Sequence, residues 1–169
     1  MTEISRLEIA IKHIESARTY TWSLLDGLDD VDWYWMPSPQ VTHIAWQVGH
    51  LAMAQYGLTL FRQRGRQSED SELMSGAFRK QFMKGTTPNS DAATGASVAE
   101  IKEVFQRVHV QALREIPTFT AAQLDEPVDP PHAAFATKFG ALLFAADHEM
   151  LHAGQIGLLR RLMGKEPVR

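Results

Sequence analysis

The sequence predicts an all-α fold, a four-helix bundle with a long crossover between its second and third helices. Three observations predict it. Four long segments carry apolar residues at helical spacing, the prolines fall between those segments, and no stretch shows a convincing strand alternation. At 169 residues and 44% hydrophobic, the chain can bury a sizeable core, so residues 1–169 are read as a single domain.

The first helix is marked by Ile4, Leu7, Ile11, Ile14, Leu24 and Leu25 and ends in a turn around Gly27, Asp29 and Asp30. A linker, DWYWMPSPQ, follows, whose two prolines stop a helix. Thr42 then offers an N-cap for a second helix that Gly65 closes. Residues 66–96 are polar and rich in Gly, Ser, Thr and Asp, with one weakly amphipathic piece at 73–83, and read as a crossover carrying a short helix. Ser97 and Glu100 form a capping box for the third helix, which must stop before Pro117. After the proline-bearing loop DEPVDPPH, the fourth helix runs over residues 137–163 and ends at Gly164.

Composition excludes several functions. With no cysteine, disulfides, thiolate nucleophiles and cysteine metal sites are absent, so any metal must be held by His, Asp or Glu. A net charge of −3 and no basic run longer than Arg160-Arg161 argue against a nucleic-acid partner. Neither a membrane-spanning run nor a signal-peptide layout is present, and a cytoplasmic location is expected.

The fourth helix contains His148-Glu149-Met150-Leu151-His152, an H-E-x-x-H string. Residues four apart share a helix face, so the two imidazoles can grip one metal ion. The pair alone is a weak signal. At 100° per residue, however, its face also receives Ala141, Phe144, Ala145, Leu151, Gln155, Leu159 and Leu162, with Gly157, Arg160 and Arg161 opposite, which places the histidines toward the core. Buried imidazoles need polar partners, and a metal is one solution; backbone carbonyls or water are the other. A zinc protease would need a third ligand downstream, yet Gln155 and Leu158 stand where its longer motif requires Gly and His. Peptide cleavage is therefore disfavoured. His50 in the second helix, set among Trp46, Met53, Ala54, Gly57 and Phe61, is the better third ligand, because facing helices of a bundle supply such groups. His43, seven residues earlier, lies too far along the axis to join the same ion and is read either as lining the mouth of the site or as an exposed first-turn residue. His13, His109 and His132 are assigned to surface or loop, and Trp33, Trp35 and Trp46 to core and linker packing.

The blocks THIAWQVGHLA and HEMLHAGQIGLLRRLMG resemble the DinB-like superfamily, and the resemblance extends over essentially the whole chain. It implies an up-down-down-up bundle in which His50, His148 and His152 bind one divalent ion, often zinc, nickel or iron. Characterised members of the resembled family include thiol S-transferases using bacillithiol or mycothiol and a thiol-dependent maleylpyruvate isomerase. The partner implied is a small-molecule substrate, with a low-molecular-weight thiol as one class. Members often dimerise, which suggests a homodimer, although no apolar stripe in the sequence is clearly surplus to the core.

Two functions remain open on this evidence: a metal-dependent enzyme of transferase or hydrolase type, and a non-catalytic metal- or ligand-binding bundle. Three neutral imidazoles would leave the ion its full charge and an open position for activating water or a thiol. Glu149, on the shoulder of the histidine face, is the candidate general base, with a partly exposed helix residue as its alternative reading. Gln155 is placed to orient a histidine or substrate from behind.

Overall fold

Helix α1, Arg6–Leu25, begins where Ser5 closes a capping box with Glu8: the Ser5 hydroxyl accepts from the Glu8 N–H at 3.2 Å, and the Glu8 carboxylate accepts from the Ser5 N–H at 2.7 Å. The computed structural model describes residues 5–39 and 41–168, so Ile4 of the expected apolar stripe lies outside the described residues. The predicted linker contains a short helix, α2 (Asp30–Tyr34), which sinks Trp33 completely into the core.

Helix α3 (Ile44–Tyr56) continues through a π turn, Gly57–Phe61, into α4 (Arg62–Arg64), and Gly65 ends the run with a positive φ of 80°. Its N-cap is His43 and not Thr42: the His43 Nδ1 accepts from the Trp46 N–H at 3.0 Å. The crossover folds into α5 (Asp70–Leu73) and α6 (Gly76–Phe82), the latter capped by Ser75. Helix α7, Val98–Glu115, is capped by the Ser97 hydroxyl on the Glu100 N–H, and Pro117 falls in the 3-10 turn that follows it. Helix α8 (Ala121–Asp125) leads into an antiparallel hairpin, β1 (Pro127–His132) and β2 (Phe135–Thr137), before α9 (Lys138–Leu162). The hairpin was not expected, because three prolines read as loop. A two-stranded ribbon leaves each strand an unpaired edge, where proline's missing N–H costs little. The chain is otherwise helical wherever it forms regular structure among the described residues.

Helix α1 packs most extensively on α9, and α3 on α7 and α9. Two apolar clusters result. One joins Ile44, Val48 and Leu51 of α3 to Phe78 and Phe82 of α6, Ile101 and Phe105 of α7, and Ile156 of α9. The other joins Ala10 and Ile14 of α1 to Ala112 of α7, Leu142 and Ala145 of α9, and Phe135 of the hairpin.

The arc that α9 buries differs from the one expected. Ala141, Leu142, Ala145, Ala146, Glu149, Ala153, Ile156, Leu159 and Arg160 are buried, an arc centred near Glu149 and rotated by about one residue, ~100°, from the histidines. Leu151 and Leu162, placed at the core by the sequence, are 64% and 54% exposed, while Arg160, placed opposite, is buried and donates to the Leu24 and Asp26 carbonyls at the end of α1. The stripe was misread because the outer face carries leucines and the inner one carries alanines and two charges. Leu151, Leu158 and Leu162 are consequently an apolar stripe in excess of the core, contrary to the sequence reading. No described helix is long and apolar enough to cross a membrane.

Candidate metal centre

His50 of α3 and His148 and His152 of α9 come together so that one ring nitrogen from each lies within 4.8 Å of the other two. Ring centroids are 4.5 Å apart for His148 and His152, 5.0 Å for His50 and His152, and 5.4 Å for His50 and His148. Because the buried arc of α9 is centred elsewhere, His148 and His152 are only half-buried, and the cluster sits on the flank of the α3 and α9 packing. The residues read as a core stripe around His50 share that placement: Trp46, Met53, Ala54 and Gly57 are half-buried, and Phe61 is exposed.

The rings are oriented from behind. His50 Nδ1 lies 2.9 Å from the Phe82 carbonyl, so it donates there and presents Nε2 to the cluster. Phe82 can approach because residue 49 is glycine; a Cβ there would meet the Phe82 ring at 2.5 Å. His152 Nδ1 donates to Gln47 Oε1, which likewise leaves its Nε2 free, and Gln47 Nε2 donates to Gln155 Oε1 at 2.8 Å. Gln155 thus acts one bond behind Gln47, which is buried and was missed by sequence reasoning. Its spacing three residues before His50, on the same face of the helix, is a signal that was available. Trp46, read as packing, stacks on His50 at 4.8 Å with the ring planes 5° apart and donates to Thr86 Oγ1 at 2.9 Å.

Burial keeps the imidazoles neutral. It lowers His50 below its ordinary value, against the opposing Phe82 carbonyl, and lowers His148 to about 4 and His152 to about 3. Neutral imidazole is the form that ligates a metal.

The remaining sequence candidates lie elsewhere. His43 is buried as the α3 N-cap, with Nε2 3.0 Å from the Asn89 carbonyl, so it is not the exposed first-turn residue of one sequence reading. Glu149 is 3% exposed and is no shoulder residue; its two oxygens accept from Arg18 Nε at 2.8 Å and Nη2 at 3.1 Å. Arg18 also donates to the Phe105 carbonyl at 2.8 Å and to Gln55 Oε1 at 2.7 Å, and Gln55 Nε2 donates to Nδ1 of His109, which is buried and not a surface residue. One guanidinium therefore bonds partners on α3, α7 and α9 from α1.

A family model described as the DinB superfamily matches residues 13–156. The curated proteins contain no match to the chain. Among solved structures, the chain is similar to a conserved protein from Enterococcus faecalis with a TM-score of 0.73 and 16% identity, over 94% of this chain and 97% of that one. At that identity the likeness is one of fold.

Proposed function

The chain belongs to the DinB superfamily, and from that premise we propose that His50, His148 and His152 hold one divalent ion, of zinc, nickel or iron, within an up-down-down-up four-helix bundle that spans the chain as one domain. In this reading the protein is a metal-dependent enzyme for a small molecule, of thiol-transferase or hydrolase type. The observation that carries it is the convergence of three ring nitrogens within 4.8 Å of one another from two helices. The donor set fits: imidazole suits each of these ions, and two of the three rings have their other nitrogen engaged by Phe82 and Gln47.

Such an ion, when bound, supplies Lewis acidity and makes a coordinated water or thiol easier to deprotonate. The chain's own contribution is to fix the rings. Phe82 and Gln47 hold the tautomers of His50 and His152, Trp46 covers one face of His50, and burial keeps all three rings unprotonated. The chain has no cysteine, so thiol chemistry here draws its sulfur from a free low-molecular-weight thiol.

One observation favours the second reading, a metal-binding bundle without catalysis. Both oxygens of Glu149, the base that the motif would offer, are taken by Arg18. Elemental analysis of protein purified without a metal-affinity tag tests the shared premise: about one ion per chain is expected, with a sharp loss in His50→Ala. Undiminished metal in His50→Ala removes both readings. Stoichiometric metal without turnover across thiol-conjugation and ester-hydrolysis screens favours the second.

A further inference from the structure

The three-histidine cluster is one link in a closed circuit of side chains. From His50 the ring centroids run 5.4 Å to His148, 5.8 Å on to Phe144 and 5.3 Å on to Phe135 of the hairpin, where His132 stacks on Phe135 at 4.2 Å and stands 5.5 Å from Phe144. Arg62 ties the hairpin back to the run that begins with α3: it donates to the Pro130 carbonyl at 2.7 Å and lies 5.6 Å from the centre of the Phe135 ring. From Arg62 the π turn and α3 lead back to His50 as one continuous helical run packed against α9.

What the circuit encloses on α3 is small. At 100° per residue, Ala54 and Gly57 stand about 40° to one side of His50 and about 20° to the other, and Gly57 lies about 10 Å along the axis from it. Both are half-buried, and neither carries an atom beyond Cβ. A Cβ at Gly57 would meet nothing within 4 Å outside its chain neighbours and its own helix backbone, although the next residue, Leu58, is buried. Space is therefore open over the start of the π turn, an irregularity that occurs frequently beside functional sites. At the head of this hollow His50 is only 7% exposed, and with Nδ1 held by the Phe82 carbonyl its Nε2 makes no hydrogen bond among the described residues. Charge does not define the hollow: Arg62 is engaged by the hairpin, and Asp147, the residue before His148, is exposed to solvent. Recognition there falls to apolar contact.

The geometry points to this hollow as the seat of the substrate's apolar part: the small molecule taken at His50, His148 and His152 carries a flat aromatic ring, which lies over Ala54 and Gly57 against Phe144 and Phe135. A flat ring can approach a helix closely where side chains are missing, and it gains from tilted or offset contact with the rings that wall the space. This inference rests on the metal reading of the cluster and deepens it.

The test uses the full chain loaded with cobalt(II), whose visible absorption reports the centre, titrated with benzyl mercaptan and with 2-mercaptoethanol. Wild-type protein is expected to bind benzyl mercaptan at least ~10-fold more tightly, since only that thiol carries a ring to bury. Gly57→Leu fills the hollow from its floor, and the backbone there is ordinary helix, with φ −61° and ψ −39°, so the fold accepts the side chain. It should weaken benzyl mercaptan by ~10-fold or more, leave 2-mercaptoethanol within ~2-fold, and keep both the melting temperature and about one cobalt per chain. Phe144→Ala, which removes a wall, should weaken benzyl mercaptan by roughly 3- to 10-fold with the same controls. Equal affinity for the two thiols, or benzyl mercaptan affinity indifferent to either substitution in cobalt-loaded protein, overturns the hollow alone. Wild-type protein that takes up no cobalt overturns the metal reading and the hollow with it.

Discussion

Replacing Arg18 with Met should be among the most destabilising single changes in this protein. The guanidinium is 2% exposed, and four bonds leave it: two to Glu149, one to the Phe105 carbonyl and one to Gln55. Its removal leaves a carboxylate, 3% exposed, with no counter-charge. Breaking a buried pair in this way costs about 3–5 kcal/mol, and the further bonds lost to the Phe105 carbonyl and to Gln55 Oε1 push toward the upper end. Against a total stability of about 5–15 kcal/mol for a typical domain, that loss is severe. Arg18→Met/Glu149→Leu removes both charges and fills the space with apolar atoms, so it should recover most of the deficit. Urea unfolding of the metal-free protein, followed by far-ultraviolet circular dichroism, measures all four corners of the cycle. A loss below about 1 kcal/mol in Arg18→Met, the size of an exposed ion pair, would refute the reasoning. So would a double variant no more stable than Arg18→Met.

Gly49→Ala should cost about 1–3 kcal/mol by forcing Phe82 outward, and because the Phe82 carbonyl holds His50, metal affinity should fall as well; unchanged melting temperature and affinity would contradict the close approach. Gln47→Ala should lower metal affinity about 10- to 100-fold in competition with a chromophoric chelator, and Gln155→Ala, one bond further back, should lower it less. The metal-free protein should lose stability as pH falls. His43 and His148 are held at about 4, and His109 and His152 at about 3, against an ordinary 6.5, so between these values the unfolded chain binds more protons than the folded one. Stability from these groups is complete above pH 6.5 and drains below it, by up to about 1.4 kcal/mol per pH unit for each imidazole. Urea midpoints at pH 7, 6 and 5 check the sign, and His109→Leu should flatten the slope.

The long helices and their ends were legible because local chemistry determines them: Gly65 and Gly164 take a positive φ, Ser97 caps α7, and Pro117 stops it. So was the approach of His50 to the α9 pair, through spacing and residue type. Helix α2 was hidden because Trp33 and Tyr34 stand next to prolines that read as a linker, and the hairpin because prolines mask strands whose outer edges are free. The orientation of α9 was illegible for a different reason. Its inner face consists of alanines that permit close packing, together with Glu149 and Arg160, whose burial makes sense only beside the partners that other helices provide. A periodicity argument weighs apolar size along one helix and contains no information about Arg18, 131 residues away in the chain from Glu149.

This explains how one string of five letters serves two purposes here. His148 and His152 stand one turn apart and face His50 of α3, whereas Glu149, about 100° around the helix, faces Arg18 of α1. Were the buried arc centred on the histidines, the glutamate would stand at its edge, free to move a proton at the site. In this fold the arc is centred on the glutamate itself, the histidines move out to the flank, and the carboxylate becomes part of the packing. The polar cluster lies where each helix passes from one apolar cluster to the other: Arg18 between Ala17 and Leu24, His109 between Val108 and Ala112, Glu149 between Ala146 and Ala153. A charge pair at that seam cannot slide by a turn without losing its bonds, so it sets the register of α9 against α1, and with it the height at which His148 and His152 meet His50. Glu149 thereby serves the three-histidine cluster by holding the helix that carries two of its rings.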